Sequence, residues 1–255
     1  MGFDDTMHTM IESEDGSFTA YSKEYEEHYH STKDGALKES LQKHVIPALS
    51  LLAERKALYI LDICFGLGFN TLATLYYIKQ KALKHKVHII SPELDADLLR
   101  ALDQFHYPKE FESLRPVIEA LAKKQYYQDD QFEITVVLGD ARVYLKACDQ
   151  RFDIVYQDAF SPASNPILWT KEYFGDIARV IKDTGVLTSY SIALEVRLAL
   201  YENGFLLYLN EGEGYRTATL ASLAPLQGFK TVDMAHKIAC NPDRKPLSDA
   251  QVLNL

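Results

Sequence analysis

From residue 58 to residue 222 the chain alternates short apolar runs with segments of helical period, and this alternation constrains the fold more than any other feature. The pattern predicts strands over 59–63, 87–91, 132–138, 152–157, 185–189, 205–210 and 217–222. It predicts helices over 70–81, 95–105, 141–147, 171–181 and 194–202 between them. Strands separated by helices require a parallel sheet with right-handed crossovers and helices on both faces. The last two strands are joined only by the turn-rich Glu211-Gly-Glu-Gly214, a link short enough to permit an antiparallel final pair. The expected architecture is an α/β, seven-stranded, doubly wound, Rossmann-like sheet with a reversed last strand.

A helix over 36–52, with Leu37, Leu41, Val45, Leu49 and Leu52 on one face, is expected to cover this sheet, preceded by a short extended piece over 18–21. Residues 1–16 are polar and acidic and are expected to fray. The segment 105–130 reads as a helical insertion on the rim. We divide the chain into an N-terminal extension, 1–35, packing near the site, and a main domain, 36–255. At 255 residues and 47% hydrophobic content it can bury one large core.

No apolar run approaches the roughly 20 residues that cross a bilayer, and the acidic N-terminus does not suit a signal peptide, so a soluble cytoplasmic protein is expected. Cys64, Cys148 and Cys240 lie far apart, without metal or disulfide spacing. His28 and His30 would share a face if their segment were a strand, but no third ligand accompanies them, so no metal is expected. The net charge of -9 excludes a general nucleic-acid binder; a nucleic acid would have to meet a local patch, for which Lys79, Lys81, Lys84, Lys86, Lys123 and Lys124 are the candidates.

Open α/β sheets bind ligands at the carboxyl ends of their strands. The first predicted strand ends in Asp62-Ile-Cys64-Phe65-Gly66-Leu-Gly68-Phe-Asn70, where glycines permit a tight turn and the helix start offers free amides. Thr71 stands where a dinucleotide fingerprint wants a third small residue. Glu93, at the end of the second strand, can accept from both hydroxyls of a ribose, which serves NAD and S-adenosylmethionine equally. Asp140, in Leu138-Gly139-Asp140-Ala141, can accept from an adenine amino group or cap the next helix. After the fourth strand, Asp158-Ala-Phe-Ser-Pro162-Ala-Ser-Asn165-Pro166 combines a fixed acceptor, the Phe160 ring and the Asn165 amide in a stiff loop fit to orient an amine, while Trp169 reads as core.

These ordered motifs, with Tyr29-His-Ser-Thr-Lys-Asp-Gly35-Ala-Leu-Lys-Glu39-Ser40 before them, resemble the MnmC-like methyltransferase family over roughly residues 20–222; the Asp158–Thr170 stretch is the most similar. The resemblance implies a class I methyltransferase sheet and S-adenosyl-L-methionine as methyl donor. It places Tyr29, Asp62, Gly66, Gly68, Glu93, Asp140 and Ala141 about the cofactor and Asp158, Phe160 and Asn165 about the acceptor amine. It also implies a tRNA partner, whose wobble 5-aminomethyl-2-thiouridine would become 5-methylaminomethyl-2-thiouridine. About thirty residues follow Leu223, too few for the flavin-dependent oxidase domain of the two-domain members, so a stand-alone methyltransferase is expected. Cys64 replaces the first loop glycine usual in the family, and Gly214-Tyr215-Arg216-Thr217 is less basic than the family's stretch. Aminopropyl transfer to a polyamine, on the same fold, and a non-catalytic RNA- or protein-binding relative remain as alternatives.

Overall fold

The computed structural model describes Phe3 and residues 7–253. A small antiparallel sheet comes first: β1 (His8–Glu12), β2 (Phe18–Ser22) and β3 (Glu27–His28). A long helix follows, made of α1 (Ala36–Ser40), a π-helical turn over Leu41–Val45, and α2 (Ile46–Leu51). The main domain then runs β4 (Ala57–Ile63), α3 (Phe69–Gln80), β5 (Lys86–Glu93), α4 (Ala96–Ala101), α5 (Arg115–Lys124), β6 (Tyr126–Gln128), β7 (Phe132–Leu138), α6 (Ala141–Ala147), β8 (Phe152–Gln157), α7 (Lys171–Val180) and β9 (Ile181–Ser189). It closes with α8 (Leu194–Glu202), β10 (Leu206–Asn210), β11 (Ala218–Ser222), β12 (Lys230–Thr231), α9 (Met234–Cys240) and α10 (Asp249–Val252).

The nine-stranded sheet has the order β12-β10-β11-β9-β8-β4-β5-β7-β6. β7, β5, β4, β8 and β9 are mutually parallel, and β11 runs antiparallel to both neighbours, as the short preceding turn requires. All six residues of the central β8 are buried, which explains its apolar centre Ile154-Val155-Tyr156 and requires partners for Asp153 and Gln157. Its one carboxylate, Asp153, is neutralised by Lys182 Nζ at 2.8 Å and accepts the Tyr59 amide at 2.9 Å. The order reverses between β4 and β8, so the crevice for a ligand opens above the carboxyl ends of these strands.

Three expectations need correction. The sheet has nine strands, because β6 and β12 add antiparallel edges too short to show a period. Residues 8–12, expected to fray, form β1 in full register with β2; the turn between them is closed by Asp15, which accepts from the Ser17 amide at 3.0 Å. His28 and His30 do not share a strand face: His28 ends β3 and packs on Tyr21, whereas His30 lies beyond it against Phe69.

The segment after α4 is a 3-10 turn over Lys109–Leu114, α5 and β6. It buries Phe111, Leu114, Val117, Ile118 and Leu121, and Tyr107 donates to the Leu67 carbonyl at 2.8 Å, bracing the glycine loop. No helix among the described residues is long and apolar enough to cross a membrane.

Candidate active site

A cavity of about 1100 Å³ opens at the carboxyl ends of the parallel strands and is walled on its outer side by residues 22–34. Its lining includes Tyr29, Gly66, Glu93, Asp140, Ala141, Asp158, Phe160 and Asn165. Strand ends far apart in sequence, from β4 to β9, are thus brought into one space. Asp62 and Gly68 are not in the lining and stand behind it. Asp62 is 1% exposed and is held by the Thr71 hydroxyl at 2.7 Å. Gly68 caps α3 at φ 76°, where a Cβ would meet the Phe65 ring at 2.7 Å.

The glycine loop is shaped by its neighbours. Gly66 lies at φ 53°, and a Cβ there would come within 3.1 Å of the Tyr29 ring. Cys64 occupies φ 62°, a left-handed conformation that glycine adopts without strain and a thiol-bearing residue does not. Burial, followed by the surrounding acids Glu93 and Asp62, pushes the Cys64 thiol well above its ordinary range.

Glu93 accepts the Gly66 amide through Oε2 at 2.7 Å and the Asp95 amide through Oε1 at 2.8 Å. Burial pushes its carboxyl up, against the opposing pull of these amides. Each oxygen keeps a further lone pair for a ligand hydroxyl. Asp140 caps α6 with Oδ1 alone, accepting from the Arg142 and Val143 amides at 2.7 and 3.1 Å, so Oδ2 remains available on the exposed side. The cap therefore leaves one oxygen of the carboxylate unused.

Asp158 is gripped from two sides. Asn70 Nδ2 donates to Oδ2 at 2.8 Å, and His44 Nε2 lies 3.4 Å from Oδ1. Burial acts to raise its carboxyl, but His44, with His30 behind it, outweighs burial and holds it below the usual carboxylate range. No cation among the described residues stands beside Asp62, and burial pushes its carboxyl up to about 8.

The loop after Asp158 is fixed by four contacts. Tyr190 donates to the Ala159 carbonyl at 3.0 Å, and Trp169 Nε1 to the Phe160 carbonyl at 2.8 Å. The Asn165 amide donates to the Ser161 carbonyl at 2.7 Å, and Glu27 reaches from β3 to accept the Ser161 amide at 3.1 Å. Phe160 stacks on Tyr25 at 4.6 Å and meets Tyr29 edge-on at 4.8 Å. Trp169 itself is fully buried in the core.

Sequence reasoning did not single out His44, Tyr25, Glu27 or Tyr190. His44 is hidden in a helical period that reads as packing, and Tyr25 and Glu27 sit in a stretch whose histidines drew attention to metals. Of the lysines proposed for a nucleic-acid patch, none lines the cavity. Lys79, Lys81, Lys84 and Lys86 lie about the amino end of β5, a strand of eight residues, roughly 26 Å from the site at its other end. Lys33, Lys43 and Arg216 are the cations that line the cavity.

A family model described as S-adenosyl-L-methionine-dependent methyltransferase matches residues 109–224. The crystal structure of MnmC2 from Aquifex aeolicus superposes with a TM-score of 0.84 at 33% identity, covering 98% of this chain and 82% of that one. An uncharacterized protein of Methanocaldococcus jannaschii is 33% identical over 222 residues, 86% of this chain and 60% of that protein. The tRNA 5-methylaminomethyl-2-thiouridine biosynthesis bifunctional protein MnmC of Azoarcus sp. is 32% identical over 206 residues, 76% of this chain and 32% of that protein. The chain thus spans less than two thirds of these two curated relatives. The glycine loop, Glu93 and the Asp158 loop stand in one cavity of a class I sheet, and the chain belongs to the MnmC-like family of S-adenosyl-L-methionine-dependent methyltransferases.

Proposed function

We propose that this enzyme methylates a primary amine carried on RNA, the aminomethyl group of 5-aminomethyl-2-thiouridine at the tRNA wobble position, in the cytoplasm. Residues 36–255 would form the methyltransferase domain and 1–35 an extension that completes the acceptor side. The relatives named for 5-methylaminomethyl-2-thiouridine biosynthesis support the choice of amine. The observation that carries the reading is the setting of Asp158, a carboxylate clamped by Asn70 at the strand end in the cavity that the Tyr25, Tyr29 and Phe160 rings also line.

The residues present fit the cofactor. Glu93, Asp95, Asp97 and Asp140 make one half of the cavity acidic, suited to a cationic sulfonium, and a Cβ built on Gly139 meets nothing within 4 Å, so the wall there leaves room for a base. Glu93 would take the ribose hydroxyls, Asp140 Oδ2 the adenine amino group, and Gly66, Ala141 and Tyr29 the walls. S-adenosyl-L-methionine supplies an electrophilic methyl group and departs as a neutral thioether.

On the other half, an aliphatic amine arrives protonated at neutral pH and must lose a proton before its lone pair can attack. Asp158, held below the ordinary carboxylate range, attracts the ammonium and then accepts a hydrogen bond from the neutral amine. So weak a base does not store the proton, which passes to water at the open mouth. Phe160, Tyr25 and Tyr29 would exclude water from the remaining faces, and the side-chain amide of Asn165 would bond the base. Fixed orientation of the lone pair then supplies much of the acceleration. The reading is tested by incubating the purified protein with labelled S-adenosyl-L-methionine and tRNA bearing the aminomethyl group. Label in that tRNA, and none in tRNA lacking the amine, supports it; no transfer to either overturns it.

A further inference from the structure

His44 is fully buried, yet neither the cofactor nor the acceptor half of the cavity includes it. It sits in the π-helical turn Leu41–Val45, where the Ile46 amide bonds back to the Leu41 carbonyl five residues earlier. Pro47 follows directly and has no N–H for the Lys43 carbonyl, so the wider turn accommodates a missing helical donor. Single π turns inside α-helices recur at functional sites because they re-aim one side chain. Here the turn carries the imidazole to the end of β8. Its Nδ1 lies 2.8 Å from the Thr188 hydroxyl, and its Nε2, 3.4 Å from Asp158 Oδ1, has no other polar partner. Its ring meets Tyr156 at 5.8 Å, edge to face.

We propose that His44 is a positioning residue for methyl transfer: anchored by Thr188, it turns its Nε2 edge to Asp158 and holds that carboxylate ionised and aimed at the acceptor, opposite Asn70. The proposal rests on the acceptor role given to Asp158 above. Thr188 donating to Nδ1 leaves the proton on Nε2, the tautomer that points a donor at Oδ1. The other titratable groups facing this pair are His30, Glu39, Asp62, Cys64 and Tyr190, which act on it through space, with Tyr156 against the imidazole ring. None of them reaches Asp158 with a hydrogen bond.

The test compares wild type with His44→Leu, which keeps the bulk; His44→Gln, which restores an N–H donor; and Thr188→Val, which removes only the anchor. Infrared spectra at pH 5 report the protonated carboxyl of Asp158 as a band that disappears when Asp158→Asn is added to His44→Leu, and need no acceptor. His44→Leu should show this band where wild type shows none, with turnover down roughly tenfold or more. Its affinity for S-adenosyl-L-methionine should stay within about twofold, because the imidazole acts on the acceptor side alone. His44→Gln should lose the band and recover most of the turnover. Thr188→Val should show a smaller effect of the same sign, and decides the matter if the leucine variant does not fold. Absence of the band in both His44→Leu and Thr188→Val, or a glutamine variant no better than leucine, overturns the proposal. Failure of wild type to methylate any amine overturns the reading of function instead and leaves the infrared result to judge His44.

Discussion

Asn70 Nδ2 and Asp158 Oδ2 are joined by a 2.8 Å hydrogen bond that ties the first turn of α3 to the loop after β8. The bond links the glycine-loop side of the cavity to its acceptor side, across 88 residues of sequence. Asn70→Leu should therefore lower kcat by about tenfold while leaving the Kd for S-adenosyl-L-methionine within about threefold. Calorimetry and single-turnover kinetics on the same preparation check this split.

Asp158 and Glu93 should divide the two halves of the reaction. Asp158→Ala is expected to cut turnover by roughly a hundredfold or more with little change in cofactor affinity, since only the acceptor loses its anchor. Glu93→Gln should weaken cofactor binding about tenfold and change single-turnover rates at saturation far less. Glu93→Ala is a poorer probe, because it leaves the buried Gly66 amide without its acceptor, at a cost of about 1–3 kcal/mol. Equal effects of Asp158→Ala and Glu93→Gln on binding and turnover would contradict the division.

Asp62 makes stability fall with rising pH. Burial raises its carboxyl from an ordinary 3.8 to about 8 in the folded chain, so the folded state holds a proton that the unfolded state has released. That contribution is fully present below pH 4 and is lost progressively as pH rises through about 8. Asp62→Asn keeps an acceptor for Thr71 and cannot ionise. Its Tm relative to wild type should rise by about 5–10 °C between pH 6 and pH 9, the equivalent of about 2–3 kcal/mol, as calorimetric scans would show. A constant difference across that range would mean that Asp62 is ionised throughout.

Gly66→Ala should damage the loop before it touches chemistry. At φ 53° an added Cβ meets strain of about 1–2 kcal/mol and presses on the Tyr29 ring at 3.1 Å. Lower Tm and a weaker Kd for S-adenosyl-L-methionine, with kcat at saturation nearly kept, are expected from thermal shift and titration.

The sheet was legible because burial imposes its own pattern: a strand buried on both faces, like β8, is largely apolar with its few polar side chains paired, and helices between such strands dictate the crossovers. The edge strands β6 and β12 were not, since two or three residues carry no period. β1 escaped because its residues are mixed in polarity and draw stability from pairing with β2. In the site, Glu93, Asp140 and Asp158 stood out as acids at strand ends, where chain direction alone places them. Asp62 and Gly68 share that signal but lie one layer behind the cavity, a distinction that depends on side-chain direction. His44 could not be read at all: its position depends on a π turn ahead of Pro47 and on a contact with Asp158, 114 residues away.

The central claim is the identity of the methylated atom, and nucleoside mass analysis of the RNA product tests it most directly. After incubation of aminomethyl-bearing tRNA with the enzyme and S-adenosyl-L-methionine, the wobble nucleoside should change from 5-aminomethyl-2-thiouridine to 5-methylaminomethyl-2-thiouridine, and Asp158→Ala should leave it unchanged. A methyl group found on another nucleoside, or on a small amine in place of tRNA, would contradict the account.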